Sequence, residues 1–309
     1  MKYSIIIPVY NVEKYIEKCL KSIQNQTHKE FQVIIVNDGS PDNSQTLINA
    51  LIKNDERFIS VYKKNGGLSD ARNYGLQYVE GDYILFVDGD DFVEPEWLEQ
   101  LDRAIKQNPN VDLIRYGVRA TDEFGQELRI YKNHAFEYKK IEDAISLIMR
   151  CELVEPAWQY AYRSEFFIEN KFMYPKGKIH EDFGLTPLIL AKAKDIISLD
   201  YIAINYVQRE SSIMQQVTPE KRIKRFEDMV YHYKYLVFEV EKLTNIHPDV
   251  KKMLLSFISN GVILRFYELE KTDRDNYKKT LSGLQVAKNM LDDSWIRKLK
   301  KLYYSCVFK

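Results

Sequence analysis

Apolar positions along the first half of the chain follow two alternating rhythms. Short β-branched and aromatic runs over residues 3–9, 32–37, 58–62, 83–87 and 111–116 read as strands. Between them Ile16, Cys19, Leu20 and Ile23 recur at helical spacing, as do Leu47, Ile48, Leu51 and Ile52. Strand and helix in alternation build a mostly parallel sheet covered by crossover helices, so the expected class is α/β. After residue 120 the rhythm loosens. Residues 129–138 read as extended, 141–149 as a helix, 158–167 as an aromatic segment and 183–193 as an apolar helix. From Pro219 onward almost everything is helical, with stripes such as Met253, Leu254, Phe257, Ile258 and Val262. The predicted organisation is one domain over residues 1–217, in halves 1–116 and 117–217, and a helical region over 218–309, with the boundary near Val217.

Composition narrows the function classes. With 45% hydrophobic and 29% charged residues in 309, the chain has the make-up of a folded globular protein. Forty-five basic residues balance forty-five acidic ones, which argues against a protein whose main task is to hold a nucleic-acid backbone. No apolar run approaches the roughly 18 residues of a membrane span. Lys2 is the lone basic residue before the first strand, and Pro8 ends the apolar run, unlike a secretory leader. The expected location is therefore the cytoplasm. Cys19, Cys151 and Cys306 are odd in number and far apart, which reads as reduced, structural thiols. The five histidines have no metal-ligand spacing and read as surface or structural groups.

In an open α/β sheet, ligands bind beyond the carboxyl ends of the strands, and here those ends are polar. Pro8-Val9-Tyr10-Asn11 follows the first strand, Asp38-Gly39-Ser40-Pro41 the second, Asn65-Gly66-Gly67 the third and Asp88-Gly89-Asp90-Asp91 the fourth. Asp88 and Asp90 stand two apart, so in an extended chain both carboxylates point to one face. Such a pair suits a hard divalent ion, Mn2+ or Mg2+, that holds a diphosphate; the alternative is an acidic turn. The Asp38 carboxylate can accept the N3–H of a uracil ring with Tyr10 as an aromatic face, or serve a turn. A glycine pair before Ser69, read as a helix N-cap, allows backbone approach to an anion, with Arg72 adding charge. Trp158, Tyr160 and Tyr162 are candidates either for stacking on an acceptor sugar or for the core.

Taken together, Ile5-Ile6-Ile7-Pro8-Val9-Tyr10-Asn11, Val36-Asn37-Asp38-Gly39-Ser40, the segment from Asn65 to Asn73, and Phe86-Val87-Asp88-Gly89-Asp90-Asp91 resemble glycosyltransferase family 2, in family order and spacing. The resemblance covers about the first 210 residues. It implies a GT-A fold, a nucleotide-sugar donor (UDP-sugar favoured), a divalent metal, and inversion at the anomeric carbon. By position, Pro8, Tyr10 and Asp38 would hold the nucleoside, with Asn65 and Arg72 nearby. Asp88 would lie near ribose and metal, and Asp90 would bind the metal. His180-Glu181-Asp182 matches the acidic motif on the acceptor side, with Asp182 as general base and Glu181 orienting the acceptor; the alternative is acidic residues in a helix first turn. Arg209 and Ser212 would bind diphosphate oxygens. The histidine that the family often places before that segment has no obvious equivalent here.

The acceptor implied is a hydroxyl of a glycan, a glycolipid or other lipid-linked group, or a glycoprotein. Residues 294–309 carry Arg297, Lys298, Lys300, Lys301 and Lys309 and no acid, with Trp295, Ile296, Leu299, Leu302, Tyr303 and Phe308 between them. That pattern suits either the inner face of the cell membrane or a helix packed on its own protein or on another subunit of a homo-oligomer, with its basic face solvated. Two rivals stand beside the transferase reading. A sugar nucleotidyltransferase would show a glycine-rich phosphate loop near the N-terminus, where Pro8-Val9-Tyr10-Asn11 stands. A catalytically inactive binding or scaffolding subunit has no need of Asp88, Asp90 and Asp182 together.

Overall fold

The computed structural model describes residues 1–209, 218–290 and 295–308. The chain divides into two compact units, one of residues 1–177 with 193–210, the other of residues 178–192 with 211–309.

The first unit holds the sheet. Its strands are β1 (Tyr3–Val9), β2 (Phe31–Asn37), β3 (Phe58–Tyr62), β4 (Tyr83–Phe86), β5 (Phe92–Val93), β6 (Leu113–Thr121), β7 (Glu127–Ile130), β8 (Tyr160–Arg163) and β9 (Ile196–Val207). They lie in the order β3-β2-β1-β4-β8-β6-β9-β5, with β7 paired to β6 outside that path. β3, β2, β1 and β4 are parallel. β8 runs antiparallel between β4 and β6, and β9 runs parallel to β6. This is the mixed α/β arrangement the sequence predicts. All seven residues of β1 are buried, because helices cover both faces of a central parallel strand. α1 (Ile16–Gln24) buries Ile16, Cys19, Leu20 and Ile23, the stripe read from spacing. α2 (Ser44–Ile52), α3 (Leu68–Gly75), α4 (Trp97–Gln107), α5 (Ile141–Ile148) and α6 (Ser164–Glu169) complete the unit. Gly75 lets α3 sit directly on β1: a Cβ there would come within 2.6 Å of Ile6 Cγ2.

Several local expectations are corrected and one open choice is decided. Of residues 129–138 only the first two are strand, as the end of β7, whose four residues are all exposed. The twelve-residue β9, which the spacing does not predict, completes the second half of the sheet. Trp158, Tyr160 and Tyr162 are core: they are at most 7% exposed, Tyr160 and Tyr162 spend their hydroxyls on the carbonyls of Val154 and Ala157, and Trp158 stacks on Tyr206. Cys19 and Cys151 are buried, whereas Cys306 is exposed.

The second unit is helical: α7 (Glu181–Lys192), α8 (Pro219–Glu241), α9 (Pro248–Glu268), α10 (Lys271–Gly283) and α11 (Trp295–Val307). α7 buries Phe183, Leu185, Leu188, Ile189 and Leu190 all round, and it packs against α8 and α9. A helix apolar on every side must be enclosed, which is why α7 sorts with the later helices and not with the sheet that precedes it in sequence. Phe183 stacks on Phe257 at 4.9 Å and fills the space that Gly261 leaves. Thr218 caps α8 by accepting from the Lys221 amide (3.3 Å), with Pro219 at the first helical position. The boundary expected at Val217 lies outside the described residues. Among the described residues no helix is long and apolar enough to cross a membrane.

Candidate active site

The carboxyl ends of β1, β2 and β4 bring the expected donor-side residues to one edge of the first unit. Pro8 is buried in β1 and Tyr10, 50% exposed, stands just beyond it. Asn11 turns the chain with φ +56°, and its amide donates to Ser40 Oγ (2.7 Å), while the Ser40 amide donates to Asn37 Oδ1 (2.8 Å). The loops after β1 and β2 are thereby tied together.

Asp38, 2% exposed, holds the third loop. Its Oδ1 accepts from Gly66 N (2.9 Å) and Lys63 Nζ (2.5 Å), and its Oδ2 accepts from Gly67 N (2.7 Å). The glycine amides expected to meet a ligand anion meet an internal carboxylate instead. Each carboxylate oxygen has two acceptor directions, so Oδ2 keeps one. Lys63 also pairs with Asp70 (2.5 Å), which Lys176 holds from the other side. These two cations hold the Asp70 carboxyl below its usual range. Lys63 is raised despite the burial that opposes it, because Asp38 and Asp70 favour its charge. Gly67, at φ +86°, precedes α3, so Ser69 is a buried residue inside the helix and not its N-cap. Asn65 is exposed at the loop tip.

The acidic segment after β4 is a turn and not an extended strand end. β4 stops at Phe86, and the Asp91 amide donates to the Asp88 carbonyl (3.0 Å). The two carboxylates therefore face different cations. Asp88 pairs with Arg72 (2.9 Å), which is buried against the rings of Phe86 and Tyr174 and so is no surface group. Asp90 pairs with Arg209 (2.7 Å), whose guanidinium lies over the Tyr15 ring at 5.1 Å. Burial and then the Asp88 charge push the Asp90 carboxyl up, against Arg209. Beneath the turn, Asp91 is fully buried and accepts from Val207 N (2.8 Å), which ties the turn to β9. The Cys19 thiol lies 3.8 Å from the Asp88 carbonyl and is pushed up by burial and by these acids. Asp88 and Asp90 are two carboxylates near enough for the charge of the first to raise the second, a hard-oxygen donor pair that fits a divalent cation. Among the described residues no group of three or more His, Cys, Asp or Glu side chains could hold a metal alone. Such an ion would take its remaining ligands from substrate oxygens.

Sequence reasoning missed Lys63, Asp70 and the clamp behind Arg72, where Asn73 exchanges two hydrogen bonds with the Tyr174 backbone (2.8 and 2.9 Å). These partners are a hundred residues apart, and no local pattern marks them. A separate cleft of about 630 Å3 is bordered by Glu94, Arg119, Tyr131 and Tyr201, and by none of the expected site residues. Its Arg119 is already paired with Glu94 and Glu127.

Glu181 and Asp182 belong to the helical unit, in the first turn of α7. Glu181 is buried at 7% exposure and Asp182 is half-buried. His180 precedes them at φ +56°, its carbonyl accepting from Phe183 N (3.0 Å) to open the helix. Burial and then Arg265 and Arg225 push the His180 imidazole down to about 4. Ser212 lies outside the described residues.

The model of the family described as "Glycosyl transferase family 2" matches residues 4–158, which hold the strand-end loops and the acidic turn. The chain belongs to that family. Similar proteins include the glycosyltransferase GlyG of Streptococcus pneumoniae, 35% identical over 224 residues that cover 69% of this chain and 72% of GlyG. Another is the poly(ribitol-phosphate) beta-glucosyltransferase of Bacillus spizizenii, 30% identical over 74% of this chain and 36% of that protein. The S. aureus TarS fragment 1–349, crystallised with UDP-GlcNAc, superimposes with a TM-score of 0.79 over 100% of this chain and 88% of that one, at 22% identity. That likeness shows the GT-A fold. The chain spans about a third to three fifths of the length of the first curated relatives it matches.

Proposed function

We propose that this family 2 chain is an inverting, metal-dependent glycosyltransferase that moves one sugar from a UDP-linked hexose or N-acetylhexosamine to a hydroxyl of a surface-glycan acceptor. The observation that carries the reading is the pair of arginine-bound carboxylates, Asp88 with Arg72 and Asp90 with Arg209, in one turn at the carboxyl end of a parallel strand. That arrangement sets two acids beside two guanidiniums, the complement of a metal diphosphate. Family membership and the UDP-GlcNAc complex of TarS support the donor class.

The chain's residues take these roles. Pro8 and Tyr10 border the nucleoside, and Asp38 offers the free direction of Oδ2 to the base N3–H, with Asn65 at the loop tip. Arg72 and Arg209 would bind the diphosphate oxygens, as Ser212 would by the family resemblance. Asp88 and Asp90 would hold a divalent cation, whose charge offsets that developing on the departing diphosphate. Asp182 takes the proton of the acceptor hydroxyl as its oxygen bonds to the anomeric carbon and the bond to UDP breaks on the opposite face. Glu181 orients the acceptor. One base and one displacement give inversion. The acceptor is a glycan, a glycolipid or a glycoprotein. The basic α11, which leaves Leu302 and Tyr303 exposed beside Lys300, suits an anionic membrane surface or a second copy.

Hydrolysis of a panel of nucleotide sugars with manganese tests the reading: UDP-sugars should be turned over and ADP- and GDP-sugars spared. No turnover of any donor, with UDP still bound, would favour a binding subunit.

A further inference from the structure

The tip of the helical unit that carries the acidic motif is held by side chains of α8. Asp228 and His232 lie four residues apart on one face of that helix and are 1% and 0% exposed. Asp228 Oδ2 accepts the Ile179 amide at 3.0 Å, and His232 Nε2 lies 2.9 Å from the Ile179 carbonyl oxygen. A carbonyl only accepts, so Nε2 carries the hydrogen. Both backbone groups of one residue are therefore fixed by one helix. Lys224 reaches both Asp228 oxygens at 2.6 Å and Lys178 reaches Oδ1 at 3.0 Å, so the carboxylate is oriented from two sides. On its other side His232 faces Gly184 of α7, where a Cβ would fall 3.0 Å from the His232 Cβ and 3.2 Å from Nδ1. The imidazole fills a slot that only a glycine leaves open.

Ile179 stands three residues before Asp182, and the residue after it, His180, occupies the left-handed region that non-glycine residues seldom adopt. That conformation persists where surrounding contacts over-determine it. The clamp on Ile179 is such a contact, and the turn it fixes sets the direction in which the first turn of α7 leaves the chain.

We propose that Asp228 and His232 are positioning residues for the acceptor-side base: by holding the Ile179 backbone they set the orientation of the turn that carries Glu181 and Asp182. The proposal rests on Asp182 being the base. It assigns a catalytic consequence to two buried residues outside the 4–158 segment that matches the family model. A misplacement of about 1 Å at a reacting group can cost on the order of a hundredfold in rate.

The test compares His232→Met, His232→Gln and Asp182→Asn in the full chain, using the UDP-sugar selected by the donor panel. His232→Met removes the donor to Ile179 at similar volume, whereas His232→Gln can restore an N–H in the place of Nε2. The expected result is a ten- to hundredfold fall in kcat for His232→Met with KM for the UDP-sugar unchanged, and recovery of most of that loss in His232→Gln. Amide hydrogen exchange should quicken over residues 179–186 in His232→Met and stay unchanged over residues 30–60. Near-wild-type kcat in a folded His232→Met variant, an equal loss in His232→Gln, or unchanged exchange over residues 179–186 would overturn the proposal. If Asp182→Asn itself turns over donor like the wild type, the base assignment has failed. If Asp182→Asn is inactive and His232→Met is not, the positioning role alone has failed.

Discussion

Asp38→Asn should weaken the first unit. The change is nearly isosteric, so its effect comes from hydrogen bonding alone. In the native protein three donors converge on the carboxylate: the Gly66 and Gly67 amides at 2.9 and 2.7 Å and the Lys63 ammonium at 2.5 Å. An asparagine has one oxygen. If that oxygen keeps Gly66 and Lys63, its NH2 group confronts the Gly67 amide; if it keeps Gly67, two donors are left facing a third. At least one hydrogen bond to a charged acceptor is lost, about 1.5–3 kcal/mol. Lys63, whose side chain is 12% exposed, also loses its nearer-buried partner but keeps Asp70. The sum is about 2–4 kcal/mol, below the full cost of orphaning a buried charge because Asp70 remains. Urea denaturation of wild type, Asp38→Asn, Lys63→Met and the double variant measures this as a cycle, with hydrogen exchange at Gly66 and Gly67 as the local readout. A loss under about 0.5 kcal/mol, the usual scatter for a surface substitution, together with unchanged exchange at both glycines, would refute the latch.

Four further outcomes are expected. Asp90→Ala should abolish manganese-dependent donor turnover and leave the circular dichroism spectrum intact; full activity in the variant, or in wild type with excess EDTA, would remove the metal assignment. Calorimetry should show UDP binding more tightly than ADP or GDP, and equal affinities would end the assignment of the Asp38 acceptor to a uracil. Asp182→Asn should retain UDP and manganese binding while transfer falls about 10² to 10⁴-fold; near-normal transfer would mean that Asp182 is not the base and serves only the first turn of α7. His180 is held near 4 in the fold by burial and by Arg265 and Arg225, against an ordinary value of 6.5, with His232 opposing its charge and Asp228 favouring it. Its contribution is complete above pH 6.5 and is lost as pH falls toward 4, because the unfolded chain takes up a proton that the folded chain refuses. Denaturation at pH 7.5, 5.5 and 4.5 should therefore show a shallower loss for His180→Gln, and identical slopes would contradict the burial.

The sequence was legible where local pattern and tertiary environment demand the same thing. Buried parallel strands need continuous β-branched runs, and covering helices need a stripe every three to four residues, so β1, β2 and α1 follow from the spacing. The same logic marked the polar strand ends, because a loop that follows a buried strand has little reason to gather Asp, Asn and Gly unless it turns or binds.

What the sequence left undecided lay in pairings between distant residues. Whether Asp38 faces a ligand or the Gly66 and Gly67 amides depends on how the loops after β2 and β3 meet, and both arrangements have the same local sequence. Whether Asp88 and Asp90 share a face depends on whether β4 continues, and it stops at Phe86, with the bond from Asp91 to Asp88 closing a turn beyond it. Whether Arg72 is solvated or buried depends on Tyr174, a hundred residues away. α7 precedes β9 in the chain yet packs with α8 and α9, since a helix apolar on every side goes wherever it can be enclosed, and periodicity along one segment carries no address for its partner. The residue types that chemistry needs were thus set by the chain, while their partners, and so their charges and orientations, were decided by which distant backbone and side-chain groups the fold brought within hydrogen-bond reach.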